Sequence, residues 1–280
     1  MVTGDCLAKP FHLSNKNVIF CNGTDAEEFL QGQITNDMAL LKSQNIIHNL
    51  ILTPQGKILA DLFIYPYEDG YFLEVHESIT DWLLKRFNMY KLRSDVNFED
   101  VSQSHFVGIN NKANEQTLIN GNDPRILDQS KRIFRYITNS NPADLLNFNA
   151  NLASEAIAEF GADYQASEFF PQDLWYDKLG SVSYKKGCYI GQEVVSRMRH
   201  KSTARKRLLP LHFTTDLAKA DKIILNDKAV GEVVSTHKTT SNDYTILAMM
   251  RMDKINDQSQ FTDKNANILE LRMPQWIKNL

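Results

Sequence analysis

One cysteine, Cys188, lies between two lysines and a Gly-Gln-Glu in the stretch Tyr184-Lys185-Lys186-Gly187-Cys188-Tyr189-Ile190-Gly191-Gln192-Glu193. A thiolate, not a thiol, attacks electrophiles and binds soft metals, and neighbouring lysines or a helix N-terminus favour that form. Val194, Val195 and Met198 recur at helical spacing, which predicts a helix opening just after the cysteine, and Gly187 permits a sharp turn before it. Cys188 is therefore a candidate nucleophile or soft-metal ligand. A buried structural thiol beside a turn glycine fits the same residue types. A lone cysteine does not hold an iron–sulfur cluster by itself, because such clusters take several ligands.

Two further groups of residues could bind rather than react. Lys185, Lys186, Arg197, Arg199, Lys201, Arg205, Lys206 and Arg207 crowd one stretch in which Glu193 is the single acid. Such a run suits a polyanion, either RNA or the glutamate tail of a cofactor, and suits a solvated charged face equally well. The carboxylates Asp37, Asp61 and Glu155 sit near expected strand and helix ends. A carboxylate accepts paired hydrogen bonds from the adjacent N–H groups of a pterin or guanine-like ring, although each of these acids read singly is also a plausible cap or surface residue.

Composition removes several alternatives. The 280 residues carry 31 Lys and Arg against 34 Asp and Glu, so nucleic-acid contact would have to come from a local patch rather than overall charge. Cys6, Cys21 and Cys188 are far apart, with no Cys-x-x-Cys, so neither a disulfide framework nor a zinc ribbon is expected. P-loop, dinucleotide, Gly-x-Ser-x-Gly and His-Glu-x-x-His signatures are absent. The first thirty residues are studded with charge and no apolar run is long enough to span a bilayer, so the reading is a reducing, cytoplasmic setting without a membrane partner.

The elements that must position these residues follow from pattern. Thr24-Asp25-Ala26-Glu27 has the form of a capping box, with Ala26, Phe29 and Leu30 at helical spacing behind it. The apolar runs on either side of Thr53-Pro54-Gln55-Gly56 predict a hairpin, and Glu68-Asp69-Gly70 a turn into a strand over 71–75. Ile79, Trp82, Leu83, Phe87 and Tyr90 predict an amphipathic helix over 78–92 that packs on those strands. Strands are expected at "FVGI" and "RIFRYI", and a helix over 142–160. From residue 205 short strands and turns predominate, which predicts a small β-barrel or sandwich.

Lys186-Gly187-Cys188-Tyr189-Ile190-Gly191-Gln192-Glu193 resembles the signature of the YgfZ family of folate-binding proteins, relatives of the glycine-cleavage T-protein (aminomethyltransferase). "FLQGQITNDM", the Gln-Gly-Lys hairpin, "FFPQDLWYDKLGSVSYKKG" and the strand-rich tail through Lys206-Arg207 extend the likeness over most of the chain. The resemblance implies an α+β fold: two T-protein-like layers around a central folate-binding channel, with a C-terminal β-barrel. It implies subdomains at 1–100, 101–204 and 205–280. It further implies binding of tetrahydrofolate or a derivative, and support of iron–sulfur enzymes, including those that methylthiolate tRNA. Cys188 carries over as the working thiol and Lys186 as the group that tunes it; Glu155, Asp61, Asn36, Tyr189, Gln192, Glu193 and Arg207 carry over as folate-binding residues. T-proteins carry paired acids where this chain has Ala60-Asp61, and some members carry a tryptophan where it has Asn149, with Phe148 as the nearest ring. Two alternatives therefore stand beside the accessory-factor reading: a one-carbon (aminomethyl) transferase, and a module that contacts tRNA directly through residues 185–207.

Overall fold

The first strands of the chain are β1 (Phe11–His12), β2 (Lys16–Asn22), β3 (Ile47–Leu52), β4 (Ile58–Tyr67), β5 (Gly70–His76) and β6 (Asn97–Asp100), with helices α1 (Ala26–Gln33) and α2 (Thr80–Tyr90) between them. Three more follow: β7 (Phe106–Asn110), β8 (Ile119–Asn122) and β9 (Phe134–Thr138). The structure is a computed structural model that describes residues 11–113, 117–140, 149–201, 205–240, 243–256 and 259–280. Cys6, Phe148 and the opening of the helix expected over 142–160 lie outside them.

The hairpin forms as expected. Gly56 takes φ 82° and donates its N–H to Thr53 O at 2.9 Å, closing the turn between β3 and β4. These strands join a five-stranded sheet in the order β3-β4-β5-β2-β6, and β1-β7-β9-β8 form a second sheet. All of β3 is buried, so neither of its faces meets water. On one face, register aligns His48 with Phe63 and Phe63 with Glu74. Facing that row from the second sheet, Arg135 donates to Glu74 and, at 3.1 Å, to Asp123, while Arg125 holds Asp123 at 2.8 Å. Both guanidinium groups lie over the Phe63 ring, at 4.1 and 4.7 Å. Buried charge is tolerable only when paired, and here two arginines meet two carboxylates.

Both helices depart from the expected detail. Thr24 and Asp25 bond to Asp95 instead of closing a capping box: Thr24 Oγ1 donates to Asp95 Oδ2 at 3.0 Å and Asp95 N donates to Asp25 Oδ2 at 2.7 Å. A tertiary partner outcompetes the local cap. Helix α2 buries Thr80, Leu83 and Phe87, with Phe87 5.6 Å from Phe29 and 4.9 Å from Phe98, but leaves Trp82 and Tyr90 39% and 40% exposed.

The free edge of β3 is covered by residues 34–36, where Thr35 N donates to Leu50 O at 3.0 Å and Leu50 N to Thr35 Oγ1 at 2.9 Å. Unpaired strand edges invite association, and this contact blocks one.

The remaining elements are α3 (Asn149–Ser154), α4 (Gln192–Lys201), strands β10 (Lys206–Phe213), β11 (Lys222–Leu225), β12 (Lys228–Thr240), β13 (Asp243–Arg251), β14 (Phe261–Thr262) and β15 (Ile268–Leu271), and α5 (Gln275–Lys278). The six strands close into a barrel in the order β10-β13-β12-β11-β14-β15. The helix expected over 142–160 stops at Ser154, because Ala156 turns left-handed at φ 58° and Ile157 N returns to Leu152 O at 3.0 Å. Contacts divide the described residues into two units: 11–140 with Asp177–Gln192, and 149–176 with Glu193–Leu280. Both sheets thus belong to the first unit, and the segment carrying α3 goes with the barrel.

Candidate functional site

Cys188 is exposed, whereas Cys21 is buried on β2 and burial pushes its thiol up to about 12. The cysteine lies in the loop ahead of α4, four residues before Gln192, so it precedes the helix instead of entering its first turn. Two anchors in the same unit brace this loop. Upstream, the buried Lys186 ammonium donates to the carbonyls of Gln31, Ile34 and Asn36 at 2.5, 2.9 and 2.7 Å. Helix α1 has no basic residue in its last turn, and Lys186 supplies the missing cation where carbonyl ends gather. Downstream, Gly191 holds φ 84°, and a Cβ there would meet Thr53 O at 2.5 Å. The loop therefore rests against the β3–β4 turn, which only glycine permits.

These contacts bear on two expectations. The Lys186 ammonium is committed to the backbone: its three protons are matched by three carbonyls, and burial, opposed by Asp37, lowers its pKa to about 8. Gly187 is not required by backbone shape, since its φ is ordinary and a Cβ would meet nothing within 4 Å. What Gly187 leaves beside Cys188 is open space.

Asn36 is likewise committed inward. Its amide donates to His48 O at 3.0 Å and Gly180 O at 2.7 Å, and its Oδ1 accepts from Asp37 N at 3.0 Å. Asn36 is therefore a cross-link between β3 and the segment leading to the signature, and offers no amide proton to a ligand. Asp61 is buried with its carboxylate 3.8 Å from His48 Nε2, while His48 Nδ1 lies 2.7 Å from Ser181 Oγ. Burial lowers the pKa of His48, which keeps the imidazole neutral. Composition did not single out His48 or Ser181, and Ser181, fully buried, is not an accessible nucleophile. Asp37 caps a short turn by accepting from Ala39 N at 3.1 Å.

A folate needs polar groups without protein partners, and the buried atoms that meet that condition among the described residues include Tyr189 Oη and Gln172 Oε1. Tyr189 follows Cys188, and burial holds its hydroxyl well above the usual tyrosine range. Gln172 lies in the barrel-containing unit, and its Nε2 donates to Val195 O at 3.1 Å. Glu155, also in that unit, is buried just after α3, and its carbonyl accepts from Trp276 Nε1 at 3.0 Å. Gln192 opens α4, and Glu193 is exposed and pairs with Arg197 at 2.5 Å. Arg207 is drawn inward, donating to Gln172 O with its guanidinium 4.2 Å over the Trp175 ring. Of the basic residues between 185 and 207, Lys186, Arg197 and Arg207 serve internal contacts. No group of three or more His, Cys, Asp and Glu that could hold a metal occurs among the described residues, nor is any helix there long and apolar enough to cross a membrane.

Residues 205–279 match the family model described as CAF17, C-terminal beta-barrel domain. Over 232 residues the chain is 28% identical to the iron–sulfur cluster assembly factor IBA57 homolog, mitochondrial, of Mycosarcoma maydis, covering 74% of this chain and 57% of that protein. The protein of the same description from Neurospora crassa is 28% identical over 231 residues, covering 71% of this chain and 52% of the relative. The chain spans little more than half the length of these relatives. Among solved structures, the glycine cleavage system aminomethyltransferase T from Bartonella henselae superposes with a TM-score of 0.70 over 95% of this chain and 84% of that one, at 13% identity. That likeness concerns the fold alone. The chain accordingly has a T-protein-like α+β fold ending in a closed six-stranded barrel, and most of its length is similar to iron–sulfur cluster assembly factors.

Proposed function

We propose that the protein is a folate-dependent accessory factor for the assembly or repair of iron–sulfur enzymes, with Cys188 as its working thiol. The observation that carries this reading is the bracing of an exposed cysteine between Lys186 on α1 and Gly191 on the β3–β4 turn. A surface thiol needs no such support unless its position matters. The relatives named as iron–sulfur cluster assembly factors supply the process. A single thiol gives one ligand or one nucleophile, so the cluster or the client protein is the substrate. A reducing compartment such as the cytoplasm suits an exposed unpaired thiol.

Within the Cys188 unit we assign Tyr189 Oη, which lacks a protein partner among the described residues, and the Asp61 carboxylate to folate. Tetrahydrofolate, when bound, would supply a one-carbon unit. Tyr189 and Asp61 orient, and Cys188 acts. Enzymes that methylthiolate tRNA are among the proposed clients, reached through their clusters: the inward commitment of Lys186 and Arg207 weakens direct contact with RNA. The T-protein-like fold supports a second reading, one-carbon transfer as an enzyme, against which Ala60 stands where paired acids would serve.

The test is complementation of cells lacking the protein, read as activity of an iron–sulfur enzyme. Cys188→Ala is expected to keep tetrahydrofolate affinity within about twofold and to restore no activity. Full restoration by that variant would refute the role of the thiol, and turnover of methylenetetrahydrofolate with an amine or thiol acceptor would favour the transferase.

A further inference from the structure

Arg86 sits midway along α2 with its guanidinium 5.6 Å from the Trp82 ring and 4.6 Å from the Tyr90 ring. The three residues are four apart, so they form one stripe along the helix. The rings hold the guanidinium flat and in place. Its Nε is buried without a hydrogen-bond partner, and among the described residues no carboxylate pairs with Arg86. A fixed guanidinium with unused donors is complementary to a carboxylate or a phosphate.

The surroundings choose between them. Trp82 and Tyr90 are 39% and 40% exposed, and the aliphatic Met89 and Leu92 beside them are 66% and 87% exposed. An open depression of about 690 Å³, lined by Asp25, Leu92, Arg93 and Ser94, adjoins the helix end. Stacking of nucleic-acid bases uses free ring faces, and Arg86 takes one face of each ring while the exposed residues beside them, Met89 and Leu92, carry no ring. Aliphatic exposure suits a protein. Lys85, Arg86, Lys91 and Arg93 outnumber Asp25, Asp81 and Asp95 around the stripe and its depression in a chain that is acidic overall, so complementarity calls for negative charge on the partner. Trp, Tyr and Arg are also the residue types that dominate protein interfaces.

We propose that the Trp82–Arg86–Tyr90 face of α2, extended by Met89 and Leu92, docks a partner protein through a segment that carries carboxylates beside aliphatic or aromatic side chains. A partner carboxylate takes the free edge of Arg86, and an adjoining apolar side chain covers Leu92. The proposal does not depend on the role assigned to Cys188.

The experiment pans a random-peptide phage library on the whole chain. The expected result is enrichment of peptides with Asp or Glu next to Leu, Ile or Phe, whose affinity falls at least about tenfold with Arg86→Glu and Leu92→Asp and is unchanged with Cys188→Ala. Arg86→Gln, which removes charge with little change of size, guards against misfolding and should lose affinity in the same direction. Absence of enrichment, enrichment of peptides without acids, or affinity indifferent to Arg86→Glu and Leu92→Asp would overturn the proposal. So would binding of oligouridylate RNA abolished by Arg86→Gln, or a dimer in sedimentation that Leu92→Asp dissolves.

Discussion

Lys186 Nζ lies 2.9 Å from Ile34 O, so a cation two residues before Cys188 closes a helix from a distant part of the chain. The basic residue that the signature places beside the thiol thus supports the thiol's loop.

Replacing Lys186 with Met should leave buried carbonyls without donors and destabilise the fold by roughly 2–4 kcal/mol, measured by urea unfolding at neutral pH. The pH dependence has a definite sign. Burial lowers the pKa of Lys186 to about 8 from the ordinary 10.5, so between these values the unfolded chain holds a proton that the native chain has released. Stability attributable to this group rises with pH across that window and is lost as pH falls through about 8. The difference between the parent and Lys186→Met should therefore grow from pH 8 toward 10.5. A constant difference would contradict the assignment.

Gly191→Ala combines a left-handed backbone with a Cβ 2.5 Å from Thr53 O. We expect a loss of about 2 kcal/mol or more in thermal or chemical unfolding, together with altered reactivity of Cys188. Gly187→Ala, which meets open space at an ordinary φ, should change stability by less than about 1 kcal/mol.

A thiol reagent followed by mass spectrometry should modify Cys188 in the native protein and reach Cys21 only on unfolding, since Cys21 is buried with its thiol pushed up to about 12. Native labelling of Cys21 at a rate comparable with Cys188 would show that β2 opens.

The charged layer between the two sheets sets the acid limit. Burial pushes Asp123 up, but Arg125 and Arg135 outweigh it and hold the carboxyl at about 2, below the ordinary 3.8. The stability this provides is complete above 3.8 and disappears as pH falls toward 2. Asp123→Asn should cost about 3–5 kcal/mol near neutrality by removing the carboxylate that holds Arg125 and leaving Arg135 with Glu74 alone, and should flatten the acid limb of the unfolding curve.

Local chemistry was readable where it acts locally. Thr53-Pro54-Gln55-Gly56 carries its turn in its own φ preferences, and the barrel strands declare themselves by apolar runs between turns. Contacts spanning long stretches of chain were not. Nothing near Lys186 indicates that its partners lie at 31, 34 and 36, and the same holds for Arg135 and Glu74. Asp95 took the groups that looked like a cap for α1. Trp82 and Tyr90 fit the apolar period of α2 yet stay half-exposed, because hydrophobicity alone does not distinguish a core face from the one beside it.

The segment 34–36 that lines the flank of β3 is also where Lys186 is fastened. Proteolytic nicking or chemical damage near the thiol would therefore loosen the cover of that strand as well, baring backbone groups to which a neighbouring chain could add. Loss of activity and a tendency to aggregate would then have a common origin.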